Sequence, residues 1–289
     1  CRMIPASFDY VRPSTVDDAV AALAAAGEDA KVLAGGQSLL PLLRLRLAYP
    51  STLVDIGRVD GLRGVRRDGD QLVIGALTTH HDIVHDPVIR EHCPVLAQAT
   101  ATVADPAVRH RGTFGGSLAH ADPAGDLPAV ALALDAELVI AGSGGRRSVP
   151  AAEFFSDYLE TAIGPGEVLV EVRVPVLGAG WGSHYEKFNR VAQAWAIVGV
   201  AALVRLDGDR IAEARVGLTN MGPTPLRASA TEAALVGVAA ANGAVAAASE
   251  QAADDTEPSA DLSAQPDYRR HLARVLTRRA VQRAAAAAG

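Results

Sequence analysis

The pattern of apolar and polar positions changes its period along the chain, and the changes mark three parts. In the first part, apolar residues recur at helical spacing over residues 15–26, and Gly27 supplies a stop. Short apolar runs at 31–34 and 53–55 predict strands, and the segment 38–47 between them predicts a helix. Together these elements predict a small α/β unit.

From about residue 58 the pattern favours strands joined by tight turns. Residues 62–66 and 71–74 alternate on either side of the pair Asp68-Gly69, which is typical of a hairpin. Further elements are predicted in this part as helices over 78–85 and 88–101, and as strands over 132–140, 146–149 and 169–174.

The third part begins near Gly178 and predicts an antiparallel meander followed by helices. A segment rich in Asp, Ser and Pro at 254–266 indicates an exposed loop between the two helices. The strands are predicted over 183–189, 196–206 and 211–219, and the helices over 228–235 and 268–288.

Composition then excludes several classes of function. A chain of 289 residues with 49% hydrophobic and 21% charged residues is an ordinary globular one. The net charge of −6 argues against nucleic acid as a ligand, because phosphate neutralisation needs a basic face. Two cysteines cannot ligate an iron–sulfur cluster, which takes four ligands. The longest strongly apolar stretch, 191–204, is too short for a membrane span. Two cysteines allow no disulfide framework beyond one bridge and no signal-peptide pattern is seen, so we expect a cytoplasmic protein.

Two glycine-containing segments carry the chemistry. The first is A-G-G-Q-S-L-L-P from Ala34, and the second is T-F-G-G-S-L-A-H-A-D-P-A-G-D-L-P from Thr113. Paired glycines let a backbone approach a ligand closely and turn its N–H groups toward phosphate oxygens. Each segment alone is also consistent with a plain turn. Neither matches the G-x-G-x-x-G or G-x-x-x-x-G-K-[ST] signatures of nucleotide sites.

Taken together, the two segments resemble the flavin-binding motifs of the FAD-carrying medium subunits of molybdenum hydroxylases. The resemblance covers nearly the whole chain. It implies an α+β fold: a two-subdomain FAD-binding domain of the vanillyl-alcohol-oxidase (PCMH) type, followed by a C-terminal domain with an antiparallel sheet and helices. We place the first FAD subdomain at 3–57, the second at 58–177 and the C-terminal domain at 178–289.

The same resemblance implies a role for particular residues in binding FAD. The first loop would hold the pyrophosphate through backbone N–H groups, an acidic residue would bond flavin hydroxyls, and an apolar pair, a lysine and an aromatic residue would lie near the ring. Asp122 is the nearby alternative to Asp126, and Trp195 is alternatively a core residue. The expected FAD-binding residues are Ala34, Gly35, Gly36, Gln37, Ser38, Leu39, Thr113, Phe114, Gly115, Gly116, Ser117, Asp122, Asp126, Val168, Leu169, Lys187 and Trp195.

Within the family, several segments resemble the medium subunits of aerobic carbon monoxide dehydrogenases. They are I-P-A-S-F-D-Y-V-R-P from Ile4, D-Y-L-E-T-A-I-G-P from Asp157, Y-E-K from Tyr185 and L-T-N-M-G-P-T-P-L from Leu218. This resemblance implies an electron-transfer subunit of an oxidoreductase, with no catalytic acid–base residue and no metal ligand of its own. Related subunits serve xanthine, N-heterocycle and aldehyde hydroxylases, and a stand-alone flavin oxidoreductase or a nucleotide-binding assembly protein are further alternatives.

The resemblance also implies partners. A large subunit would carry a molybdenum–copper cofactor and a small subunit two [2Fe–2S] clusters, in a dimer of heterotrimers. Electrons would pass through FAD to a quinone or another external acceptor, and the complex would associate with the inner face of the cytoplasmic membrane through partners.

Three further groups of residues have competing interpretations. His80, His81 and His85 share a short predicted helix, which favours a surface helix over a metal site. Arg109 and Arg111 would either offset phosphate charge or lie at a surface. The arginines of the last helix predict a solvated face, with a docking strip for an acidic partner as the alternative.

Overall fold

The computed structural model describes residues 4–240 and 242–288, so the predicted domain limits at residues 3 and 289 lie outside the described residues. Its first part is a three-stranded parallel sheet in the order β1-β3-β2, with α1 packed on it. The elements are β1 (Asp9–Val11), α1 (Val16–Ala26), β2 (Ala30–Leu33), α2 (Leu39–Leu45) and β3 (Thr52–Asp55). The helix α1 starts at Thr15, whose hydroxyl accepts the N–H of Asp18, and ends at Gly27 with φ +78°.

The second part is a five-stranded antiparallel sheet in the order β4-β5-β10-β6-β7, with helices on one side and a small two-stranded sheet. Its strands are β4 (Val65–Asp68), β5 (Gln71–Gly75), β6 (Glu137–Gly142), β7 (Gly145–Pro150), β8 (Phe155–Asp157), β9 (Glu160–Thr161) and β10 (Val168–Pro175). Its helices are α3 (His80–His85), α4 (Pro87–His92), α5 (Pro94–Ala101), α6 (Pro106–Arg109), α7 (Phe114–His120), α8 (Asp126–Ala133) and α9 (Ala151–Phe154).

The third part is a four-stranded antiparallel sheet in the order β11-β12-β13-β14, with the long last helix packed across it. Its elements are β11 (Trp181–Phe188), β12 (Val198–Asp207), β13 (Arg210–Thr219), β14 (Leu226–Arg227), α10 (Ser229–Leu235), α11 (Asn242–Ser249), a 3-10 helix (Glu250–Ala253) and α12 (Pro266–Ala288). The predicted α+β class is confirmed.

Two predicted elements of the second part are wrong. Residues 132–140 are not one strand, because α8 continues to Ala133 and β6 begins only at Glu137. Every residue of α8 is buried, so its apolar run has no polar face from which a helix could be recognised. The predicted helix 88–101 is two helices, since Cys93 has a non-helical backbone and Pro94 begins the next helix.

Buried side chains join the three parts. One cluster combines α1 with Val139, Ala141, Val168 and Val170 of the second sheet. A second cluster joins α8 and the second sheet to Tyr185 on β11. At the contact between α8 and the third sheet, a Cβ on Gly217 would overlap the carbonyl oxygen of Ala129. The parts therefore meet along packed surfaces, and the space left between them is the site described next.

Within the described residues, no helix is both long enough and apolar enough to cross a membrane.

Candidate functional site

A cavity of about 700 Å³ is lined by all three parts of the molecule. It extends from the end of α1 and strand β2, past the two glycine segments, to Lys187 on β11 and the loop that carries Trp195. The structure brings the following predicted site residues to its wall: Ala34, Gly35, Gly36, Gln37, Ser38, Leu39, Thr113, Gly115, Gly116, Ser117, Asp122, Asp126, Val168, Leu169, Lys187 and Trp195.

Phe114 is the predicted site residue that the structure does not place on the cavity wall. Its side chain is fully buried in the core of the second part, among Ile83, Leu118 and their neighbours. Its N–H donates to the carbonyl of Thr78, 3.0 Å away. Phe114 thus anchors α7 to the core, and its side chain does not line the cavity.

The first glycine segment presents free backbone donors. Within the part of the chain that the structure describes, the N–H groups of Gly35, Gly36, Gln37 and Ser38 donate to no protein acceptor. Gly36 has φ +74°, a left-handed conformation that turns consecutive N–H groups toward one side. Consecutive unpaired N–H groups on a cavity wall form a cradle for an anion.

Gly35 has no room for a side chain, because the backbone of another loop lies against it. A Cβ at this position would overlap the carbonyl oxygen of Arg111 and crowd the Cα of Gly112. The missing side chain therefore lets the first segment lie against the backbone that leads into the second. Close approach of two loops, rather than of a loop and a ligand, is what requires glycine here.

The second glycine segment is the first turn of α7, not an open loop. Thr113 is its N-cap, and the Thr113 hydroxyl accepts the N–H of Gly116 at 3.2 Å. The N–H of Gly115 donates to Ala76 at 2.9 Å, and that of Ser117 donates to Thr113 at 3.0 Å. The expectation that N–H groups of both segments are available for phosphates is therefore wrong for Gly115, Gly116 and Ser117. Thr113 and Ser117, which carry hydroxyls, also line the cavity.

A buried charged cluster forms where α8 meets β11, and Asp126 and Lys187 of this cluster line the cavity. The Asp126 carboxylate accepts a hydrogen bond from the Lys187 ammonium at 2.8 Å and from the Tyr185 hydroxyl at 2.6 Å. Lys187 also donates to the carbonyl of Thr102 at 3.2 Å. Burial raises the pKa of Asp126, while Lys187 and Tyr185 act in the opposite direction. Burial next to this carboxylate also raises the pKa of Tyr185 well above its usual value.

Tyr185 is a residue that sequence reasoning missed. It stands two positions from Lys187 on β11, so both side chains leave the same face of the strand. The alternation of side chains along β11 indicates that Tyr185 and Lys187 lie on the same face of the strand. The link to Asp126 was not visible in the sequence, because 59 residues separate Asp126 from Tyr185.

The predicted ring-side residues differ in exposure. Val168 and Leu169 are buried at the start of β10, and both residues line the cavity. Trp195 is 57% exposed and lies at the mouth of the cavity, so the alternative that it is a core residue is wrong. The loop behind it is held by Asn220, whose side-chain amide donates to the carbonyl of Ala196 at 2.8 Å.

His80 is a second residue that the sequence analysis did not identify. The prediction of a surface helix is wrong at this position, since His80 is 4% exposed and lines the cavity. Burial, with a smaller contribution from Arg109, lowers the pKa of His80 to about 4. The imidazole is therefore neutral at pH 7, and its Nδ1 is buried with no hydrogen-bond partner among the residues that the structure describes.

The remaining histidines and arginines make mostly structural contacts. The ring of His81 stacks on that of His110, with centroids 3.9 Å apart, and the described residues contain no group of three or more metal-binding side chains. Arg109 donates to the carbonyl of Val103 at 2.8 Å. In α12, Arg269 is fully buried and donates to Asp261 at 2.6 Å, so at this position the predicted solvated face is wrong.

The site is thus a cavity between the first two parts that presents an anion cradle, with Lys187 of the third part in its wall. Comparison with known families agrees with this description. Residues 6–177 match the FAD binding domain in molybdopterin dehydrogenase, and residues 183–284 match the CO dehydrogenase flavoprotein C-terminal domain. This chain therefore belongs to the family of FAD-binding medium subunits of molybdenum hydroxylases.

Individual relatives lie within the same family. The chain is 43% identical to the carbon monoxide dehydrogenase medium chain of Hydrogenophaga pseudoflava, over 98% of both chains. It is 40% identical to the 6-hydroxypseudooxynicotine dehydrogenase complex subunit alpha of Paenarthrobacter nicotinovorans, over 98% of this chain and 96% of the relative. The solved carbon monoxide dehydrogenase from Hydrogenophaga pseudoflava superposes with a TM-score of 0.97 at 45% identity, covering 99% of this chain and all of the matched chain. The resemblance found in the sequence is confirmed, as is an FAD-binding domain followed by a C-terminal flavoprotein domain.

Proposed function

We propose that the cavity holds FAD in an extended conformation. The pyrophosphate would lie on the N–H groups of Gly35, Gly36, Gln37 and Ser38. The main support for the proposal is that these four N–H groups have no acceptor among the described residues. The flavin ring would lie at the opposite end, beside Lys187. The residues fit this group, since an anion cradle, apolar residues and a buried cation line the same cavity.

The other cavity residues would position the cofactor. Thr113 and Ser117 offer hydroxyls to the phosphates from the side of α7, and Asp126 offers carboxylate oxygens to hydroxyls of the flavin chain. Val168, Leu169 and Trp195 would cover the ring and limit water around it. A flavin accepts electrons singly and releases them in pairs. The Lys187 ammonium favours negative charge on a neighbouring ring system.

The chain would act as an electron-transfer subunit rather than as a complete enzyme. The described residues provide no cluster of metal ligands, and the sequence has too few cysteines for an iron–sulfur centre. Electrons would arrive from [2Fe–2S] clusters of a small partner subunit. A large partner subunit would carry the molybdenum–copper cofactor in a dimer of heterotrimers, and a quinone or another external acceptor would take the electrons.

Carbon monoxide is the substrate we propose for the whole complex. The support is the similarity to two carbon monoxide dehydrogenase medium chains, at 43% and 40% identity. A medium subunit of an N-heterocycle hydroxylase is the alternative, because the 6-hydroxypseudooxynicotine dehydrogenase subunit is equally similar to the second of them, at 40%. The solved quinoline 2-oxidoreductase of Pseudomonas putida 86 also superposes well, with a TM-score of 0.94 at 37% identity.

The test is the visible spectrum of the natively purified complex before and after carbon monoxide is added. Flavin and iron–sulfur absorbance, two co-purifying chains and bleaching by carbon monoxide are expected. Bleaching by an N-heterocycle but not by carbon monoxide would select the alternative substrate. A flavoprotein that turns over a substrate without partners would be a stand-alone oxidoreductase. A colourless chain that takes up no added FAD would overturn the proposal.

A further inference from the structure

The buried cluster at the flavin end of the cavity is an ion pair with a third, neutral member. One carboxylate oxygen of Asp126 accepts the Lys187 ammonium at 2.8 Å, and the other accepts the Tyr185 hydroxyl at 2.6 Å. The side chains of Asp126 and Lys187 are 4% and 5% exposed, and Tyr185 is 6% exposed. A carboxylate and an ammonium at this distance largely cancel each other's field, and the phenol adds a strong hydrogen bond without adding charge.

The fold makes room for the phenol at one position. Gly199 on β12 lies opposite Lys187 in the strand pairing, and a Cβ there would overlap the hydroxyl oxygen of Tyr185. The main-chain N–H of Tyr185 donates to the side-chain oxygen of Gln98 at 3.2 Å, which ties this point of β11 to α5. The phenol therefore reaches from β11 to Asp126 on α8, and any larger residue at position 199 would occupy the space of its hydroxyl.

We propose that Tyr185 is a positioning residue, which holds the Asp126 carboxylate as the counter-ion of Lys187 and so sets how much positive charge the lysine presents to the flavin. The inference rests on the proposed binding of FAD in this cavity. Tyr185 is not expected to touch the cofactor, because it is buried and is not among the residues that line the cavity.

The charge state of Asp126 follows from the groups that face it. Lys187 and Tyr185 are the titratable side chains that act on it, and both favour its ionised form against the effect of burial. A few residues earlier, His120 and Asp122 form a separate pair at 3.9 Å. Removal of a hydrogen bond to an ionised carboxylate raises its pKa. Once protonated, Asp126 no longer neutralises Lys187, and the uncompensated ammonium favours the reduced flavin.

The experiment measures the reduction potential of bound FAD against pH, in the intact complex, for wild type and Tyr185→Phe. In wild type, protonation of Asp126 is expected to appear as an inflection in this curve. In Tyr185→Phe the inflection is expected at a pH higher by about one unit, because one charge-assisted hydrogen bond is lost. Gly199→Ala should shift it in the same direction by displacing the phenol.

Tyr10→Phe is the matched control, since the Tyr10 hydroxyl also donates to a carboxylate, that of Asp55, but neither residue lines the cavity. It should leave the curve unchanged. Full FAD content with an inflection that is absent, or unmoved in Tyr185→Phe, would overturn the role of Tyr185. Failure of the wild-type complex to hold FAD would instead overturn the proposed function.

Discussion

At the level of single residues, several glycines of the cavity wall lack a Cβ that would overlap a neighbouring group. Gly35 has no Cβ where the carbonyl of Arg111 lies, and Gly115 has none where Ala76 packs at 2.5 Å from the position it would take. Gly36 is different, because its φ of +74° requires a conformation that side chains disfavour. The glycines thus have two separate roles. Gly35 and Gly115 allow two segments to approach closely, and Gly36 turns N–H groups toward the cavity.

Gly36→Val is expected to abolish FAD retention while leaving the protein folded. A β-branched residue in the left-handed region costs about 1–2 kcal/mol, and a Cβ here would lie 2.9 Å from Leu40 Cδ1. The loop should relax and rotate its N–H groups away from the cavity. FAD per chain, measured from absorbance after gel filtration, should fall below about a tenth of the wild-type value, which corresponds to roughly 1.4 kcal/mol or more of binding free energy.

Gly69→Val controls for backbone strain, because Gly69 has φ +61° in the turn between β4 and β5 and has open space around it. It should lose a similar amount of stability and keep its FAD. Gly116 tests the second segment, since a Cβ there would lie 2.6 Å from the Thr113 hydroxyl. Wild-type FAD content in both Gly36→Val and Gly116→Val would refute binding between the two segments.

His80 predicts how stability depends on pH. Its pKa is lowered to about 4 in the folded chain and is about 6.5 in the unfolded chain, so only the unfolded chain takes up a proton between these values. Stability is therefore lost as pH falls from about 6.5 to 4, by roughly 3 kcal/mol in total. The free energy of unfolding, from urea titrations, should fall between pH 7 and pH 4.5 in wild type. In His80→Gln this fall should be smaller by about 2–3 kcal/mol.

His271→Gln is the control for this measurement, because His271 is exposed on α12. It should show the same pH dependence as wild type. An equal loss of stability on acidification in wild type and His80→Gln would show that His80 is not the group responsible.

At the scale of elements, the first turn of α7 combines a helix cap with a cavity wall. The Thr113 hydroxyl accepts the N–H of Gly116, and the same residue lines the cavity. Thr15 caps α1 in the same way, accepting the N–H of Asp18 at 3.1 Å, but lies outside the cavity. Of these two threonine caps, only Thr113 faces the proposed cofactor.

Thr113→Val and Thr15→Val should each destabilise the fold by about 1 kcal/mol through loss of a cap. Only Thr113→Val is expected to weaken FAD binding, by roughly tenfold, because a hydroxyl on the cavity wall is also lost. Titration of the apoprotein with FAD, followed by flavin fluorescence, measures the difference. Equal affinities in the two variants would mean that the Thr113 hydroxyl does not contact the cofactor.

Some elements could be predicted and others could not, for reasons visible in particular residues. The helix predicted over 15–26 is found as Val16–Ala26, because its apolar stripe and both ends are local signals. The hairpin around Asp68-Gly69 is found for the same reason. In contrast, α8 was hidden because burial on all sides removes the polar face of a helix, and α7 was hidden because its first turn consists of turn-forming residues.

At the scale of the whole molecule, α8 connects the FAD-binding domain to the third sheet. Asp126 at its start bonds Lys187, and Asp135 just beyond its end accepts the Arg227 guanidinium at 2.7 Å. Between these contacts the backbone of the helix lies against Gly217. The charged cluster is thus formed only when α8 and the third sheet are docked.

Gly217→Val should separate α8 from the third sheet, because the valine side chain would overlap the Ala129 carbonyl at the centre of their contact. We expect a lower melting temperature, a transition that splits into two in calorimetry, and FAD affinity at least about tenfold weaker. Gly178→Val, in the open link between the second and third parts, is the control and should change none of these. One cooperative transition with full FAD binding in Gly217→Val would show that docking of α8 does not build the site.

The α+β class, the two glycine segments and the family could be read from the sequence alone, because these depend on local pattern or on motifs that are contiguous in the chain. Three-dimensional packing was needed to show which N–H groups of the first glycine segment have no acceptor among the described residues. It was also needed to show that Phe114 and His80 are buried, and that the Tyr185 hydroxyl donates to the carboxylate that pairs with Lys187. Burial and hydrogen bonding between distant segments are properties of packing, and the charge state of a buried group depends on neighbours that no local pattern specifies.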